Sequence, residues 1–473
     1  MNPEDPEEDD SADPYLGNAD PNRGGDSADP FGESPSSGNP TSDILDLLGD
    51  LFTRGAGLPG GMTGIPLTPS LGGGGFETTG FSNRSDPARQ IAMATASEGS
   101  SEPNVDPVVR MDYESLVRVA ELQVATWTGL TVARSGRLDV KPVTRTVWAS
   151  KSVDAYRPYL ETMARLPTDL TDHMSKSTMD EDLTIENLDG DDPHASQTLS
   201  WISGLLESMA PVLAAITTGT MVGRLAQRSL GSYDLPIPRP AEGPDADTLL
   251  VVAPNVDSFS TDWSLPAEDL RLWICLHEVA HHAVLGVPHV RLALGDLLAR
   301  HAGAFRTDPA DLGDLIGDIG LDSTDINDPN AVVETLAGLQ QALDPETVLD
   351  AVRSPEQEAL LPRLEALVAV VIGVVDHVMD DVGSRLIGSY QQVTEALRRR
   401  RVTTSEADRF VEKVLGIDLT QAQVDRGSAF VGGVVDREGA DGLARLWKGP
   451  ESMPTPAEVD APGLWLARLN LAD

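Results

Sequence analysis

The chain has 473 residues, with 75 acidic against 35 basic side chains and a formal charge of −40 at pH 7. Such a surface repels phosphate backbones, which excludes nucleic acid as a partner. Cys275 is the one cysteine, so no disulfide framework is possible.

The start, MNPEDPEEDD, has neither the basic opening nor the apolar core of a secretory signal. The longest apolar run, Ala366 to Val375, is about half of the roughly 20 residues a membrane span requires. A cytoplasmic protein without a membrane span is expected. Residues 1–100 hold 17 Gly, 11 Pro and 17 acidic against 4 basic residues. That composition buries too little apolar surface to offset ordering entropy, so 1–104 is read as a disordered acidic tail. One exception is Ser42 to Phe52, SDILDLLGDLF. Ile44, Leu45, Leu47, Leu48 and Leu51 make one apolar face behind a Ser/Asp cap, which reads as a small helix docking on the body or a partner-binding motif.

The folded body is expected over 105–473. Tyr113 to Trp127 and Val147 to Leu166 are helix candidates, and Asp169 to Pro193 is an acidic linker. Thr198 to Leu230 reads as one or two helices around Pro211. Its GTMVG, Gly219 to Gly223, marks close helix packing. The segment LGSYDLPIPRP leaves it as an extended exit stiffened by proline. Leu249 to Val256, apolar and β-branched, is the clearest strand. A motif helix over 265–285 follows, then an acidic insertion over 303–355 and a long helix over 357–388. Ala407 to Leu415 and Gly427 to Leu446 complete the helices, with Trp447 and Trp465 packing the C-terminal segment. The expected fold is mainly α, with a small β element beside the motif helix.

The motif is LHEVAHHAVLG, Leu276 to Gly286. His277 and His281 lie one turn apart on a single helix face, so both imidazoles can reach one ion at about 2.0–2.1 Å. Glu278 is offset beside them, where a general base sits to deprotonate a metal-activated water. Ser264 is the expected cap, Pro266 falls in the first turn and Gly286 is the expected stop. Leu270, Trp273, Ile274, His277, Ala280, His281 and Val284 form one inward stripe. His282 is expected behind or outside this site, and Cys275 as a small buried hydrophobe. A catalytic Zn2+ needs a third protein ligand. The apolar helix from Leu364 offers Asp376 and His377, which are expensive there unless partnered.

LHEVAHHAVLGVPHVR, LGSYDLPIPR, VVDHVMDDVG and LARLWKGPESMPTPAEV together resemble an actinobacterial family of zinc-dependent metalloproteases, zincin-like in fold. Some members are associated with biosynthesis of a deazaflavin cofactor. The resemblance implies zinc ligands at His277 and His281 and a general base at Glu278. It also implies a glutamate ligand at the position this chain fills with Ile372, with Asp376 in a supporting role. Asp376, or alternatively His377, is then the candidate third ligand. The expected activity is zinc-dependent hydrolysis of a peptide or a small amide. The alternative is a zincin-like scaffold that has lost catalysis and binds a partner.

Overall fold

The computed structural model describes residues 86–163, 214–243, 245–305, 353–402 and 406–472. The expected helix at 42–52, the linker 169–193 and nearly all of the acidic insertion lie outside them.

The body begins earlier than residue 105. Helix α1, Pro87–Ser97, buries Ala88, Ala92 and Ala96 in the core. Averaging the composition over a hundred residues hid this short alanine-rich face. Helix α2, Pro107–Thr128, starts at Asp106, whose side chain accepts from the Val108 amide at 2.8 Å. It stops at Gly129, where φ is +68°. Strand β1, Asp139–Val143, leads into α3, Arg145–Met163. Residues 214–228 are helical and form α4. A Cβ at Gly219 would meet the Ala88 carbonyl at 2.6 Å, and one at Gly223 would meet Thr95 at 2.5 Å. The GTMVG glycines therefore let α4 lie directly on α1, as its spacing predicts.

Strand β2, Thr248–Val252, pairs in parallel with β1, from Asp139 opposite Thr248 to Val143 opposite Val252. The crossover between them carries α3 and α4, as a parallel pair requires. The expected strand continued to Val256, but the chain turns at Ala253 into α5, Ala253–Asp262. Pro254 has no amide for a sheet ladder and fits the first helical turn. Gly231 adds an antiparallel bridge to Val251.

Helix α6, Ala267–Gly286, carries the motif. Ser264 does not cap it. That residue sits at φ +52° in the preceding turn, and Pro266 directly precedes the helix. Gly286 is the last helical residue. Every residue from Trp273 to Leu285 is buried, not only the expected stripe, because α2, α5, α7 and α8 surround the helix. Helix α7 is Pro288–Gly303 and α8 is Pro355–Val378. At the start of α8, Ser354 and Gln357 form a reciprocal capping box. The expected single helix to residue 388 instead passes into a π-helical turn, Met379–Gly383.

Helices α9, Tyr390–Val402, α10, Glu406–Leu415, and α11, Gln421–Glu438, follow. A 3-10 segment, Ala440–Trp447, then leads to α12, Pro456–Asp460, and α13, Pro462–Ala472. Trp465 is buried against Phe430, and its indole donates to the Ser452 carbonyl at 2.7 Å. Trp447 packs at the core's margin. The described residues are mostly helical, with one small parallel sheet. No helix among the described residues is long and apolar enough to cross a membrane.

Candidate metal centre

The regular spacing of α6 brings His277 and His281 together, with ring centroids 4.4 Å apart. Each ring lies against an aromatic wall. Trp273 stacks on His277 at 4.8 Å, and Tyr233 stacks on His281 at 5.8 Å. The Nδ1 atom of His281 lies 3.1 Å from the His277 carbonyl. That carbonyl can only accept, so Nδ1 carries the proton and the lone pair sits on Nε2.

Glu278 is 1 % exposed and held by backbone. Its Oε2 accepts from the Ser232 amide at 2.7 Å and shares the Tyr233 amide, 3.1 Å from each oxygen. Its Oε1 lies 3.7 Å from His277 Nδ1. Burial pushes its carboxyl above the usual carboxylate range, and contact with His277 offsets part of that rise. The two amides come from LGSYDLP, where Gly231 is indispensable: a Cβ there would fall 2.4 Å from the Glu278 carboxylate. The segment is fixed by the Gly231 bridge to β2 and by the Trp148 indole, which donates to the Gly231 carbonyl at 2.8 Å. Asp234 closes the turn by accepting from the Leu230 amide at 3.0 Å, and it pairs with Arg400 at 2.9 Å.

Tyr233, which the sequence left unassigned, joins this arrangement, and His282 takes the first of its two expected places, behind the site. The Tyr233 hydroxyl lies 3.0 Å from His282 Nδ1, and His282 Nε2 lies 3.4 Å from Asp247 Oδ1. Burial drives the His282 pKa down to about 4, against the pull of Asp247. The neutral ring therefore accepts from Tyr233 and donates to Asp247. A line of contacts runs from the Ser135 amide through Asp247, His282 and Tyr233 to the face of His281. Cys275 is fully buried, and burial raises its thiol pKa strongly, so it is the inert hydrophobe expected.

Among the described residues, no three His, Cys, Asp or Glu side chains are grouped to hold a metal ion. Asp376 and His377 are half-buried near the end of α8, and His377 rests edge-on against Trp127 at 5.4 Å. Beyond them, Asp381 accepts from the Trp127 indole at 2.9 Å, and Asp380 from the Tyr390 hydroxyl at 2.8 Å. Ile372 is 5 % exposed among apolar neighbours. As a donor set the two histidines fit zinc. Nitrogens about 2.0–2.1 Å from a tetrahedral ion lie about 3.4 Å apart, which a 4.4 Å ring separation admits.

Two imidazoles one turn apart, with a carboxylate fixed beside them, lie on one helix. The chain belongs to the zincin-like metallopeptidase family, whose family model matches residues 85–466. No curated protein matches it. Among solved structures, it is similar to a proposed hydrolase with a novel fold from Chloroflexus aurantiacus. The identity is 24 % and the TM-score 0.49, covering 81 % of this chain and 97 % of that one.

Proposed function

We propose that the protein is a metal-dependent hydrolase that cleaves a peptide or small amide bond, with His277 and His281 as zinc ligands and Glu278 as general base. The observation that carries this reading is the contact of the two imidazoles beside a carboxylate fixed by two backbone amides. Zinc, when bound, supplies a Lewis acid that polarises the substrate carbonyl and acidifies water. The bond from the protonated Nδ1 of His281 to the His277 carbonyl orients that ring and leaves the lone pair on Nε2. In Glu278, Oε2 is committed to the Ser232 and Tyr233 amides. Oε1 shares a single amide, so it takes the proton of the attacking water and returns it to the leaving nitrogen. Burial, which raises the Glu278 pKa, favours its taking up a proton.

The test pairs metal analysis with turnover. About one zinc per chain, lost in His281→Ala, and a fall of roughly 10²–10⁴-fold in Glu278→Gln support the reading. Undiminished turnover in Glu278→Gln removes Glu278 from the role. A second reading, a non-catalytic scaffold that binds a partner, is favoured by Ile372, apolar and buried where the family resemblance puts a glutamate ligand. Folded protein that takes up no zinc selects it.

A further inference from the structure

Helix α2 turns an apolar stripe to solvent. Val108 is 56 % exposed, Met111 61 %, Val119 40 % and Leu122 65 %. At 100° per residue the four fall within about 80° of one another, along about 21 Å of helix. Four of the eleven exposed large hydrophobics among the described residues lie on this one helix, so the exposure is concentrated and marks an interaction face. Arg118 borders the stripe, and Arg110 lies about 100° round the helix from its edge. Both are exposed, and neither forms an ion pair with another described residue.

We propose that this stripe is the docking face for residues 42–52 of the same chain, SDILDLLGDLF. Three features of the sequence suit it to that face. Ile44, Leu45, Leu47, Leu48 and Leu51 recur at helical spacing and supply the apolar partner. Asp43, Asp46 and Asp50 fall on the opposite side, where they stay in solvent when the apolar side docks. Eleven residues at helical rise span about 16 Å, within the length of the stripe. The intervening 53–85 is Gly-rich, and a chain of that length has a root-mean-square span of about 30 Å. Such a tether holds its end at an effective concentration in the millimolar range, enough to populate a contact too weak to form between separate molecules. A second copy of the chain is a poorer occupant, because each carries a formal charge of −40. The inference is independent of the metal centre.

Cysteine chemistry tests it in the full chain, since Cys275 is buried and does not compete. In Leu122→Cys, maleimide labelling should be slow and should quicken at least 5-fold when Leu47→Asp and Leu48→Asp are added. Thermal melting shows that each variant is folded. In the double variant Leu48→Cys with Leu122→Cys, mild oxidation should give an internal disulfide in monomeric protein. A labelling rate unchanged by the aspartates overturns the proposal. So does a disulfide-linked dimer of Leu122→Cys alone, which assigns the stripe to a second copy. So does failure of the paired cysteines to cross-link.

Discussion

Glu278 is a buried carboxylate whose burial the backbone makes tolerable. The Ser232 and Tyr233 amides satisfy its oxygens, while burial holds its pKa up. Removing the carboxylate leaves those two amides without an acceptor. Glu278→Ala is therefore expected to cost about 2–5 kcal/mol, read as a lower midpoint in urea unfolding. Glu278→Gln keeps an oxygen for Oε2's partners and should cost about 1 kcal/mol or less. Gly231 admits no side chain. Gly231→Ala should push its methyl into the carboxylate and destabilise by about 1–3 kcal/mol, with loss of bound zinc if Glu278 shifts towards His277. That His277, Glu278 and His281 come together on α6 was legible in the sequence, because a one-turn spacing on a helix is a local property. The glutamate's cradle was not. It comes from residues more than forty positions earlier, brought near by the β2 bridge.

At the scale of elements, the turn that supplies this cradle is clamped by Asp234 and Arg400. Burial alone would raise the Asp234 carboxyl, but Arg400 and the Leu230 amide hold it below the usual carboxylate range. A carboxyl depressed in the native state stabilises the fold above its unfolded pKa, near 3.9, and loses that contribution as pH falls through the native value. Asp234→Asn should therefore lower stability at pH 7 by about 2 kcal/mol and flatten the acid limb of the stability profile below pH 4, measured by urea titration across pH. Helices α8 and α11 meet backbone to backbone. A Cβ on Gly427 would come within 2.1 Å of the Ala369 carbonyl, and one on Gly373 within 2.4 Å of Gly427. Gly427→Ala should cost about 3 kcal/mol or more, because neither backbone can withdraw without parting the helices. Sequence periodicity placed both helices. It did not reveal that they face one another through their glycines, since such contact depends on how two distant helices cross.

For the whole molecule, α6 runs through the centre of the body and is buried all round from Trp273 to Leu285. Zinc binding native protein alone should raise the melting temperature with concentration, contributing about 2.7 kcal/mol at a hundred times Kd. His277→Ala and His281→Ala should abolish that shift. Asp376→Asn should leave it intact, since no third donor among the described residues joins the pair. A shift lost in Asp376→Asn would place that carboxylate on the metal.

By itself, the sequence determined a mainly helical chain, a strand before the motif helix, and a histidine pair with its glutamate. These follow from composition and from periods of a few residues, which each segment carries alone. Tertiary structure decided where the strand stops, that α1 belongs to the body, and that Tyr233 and His282 stand behind His281. Those outcomes depend on contacts between residues far apart in the chain, and the energy of such a contact exists only once packing has fixed both partners.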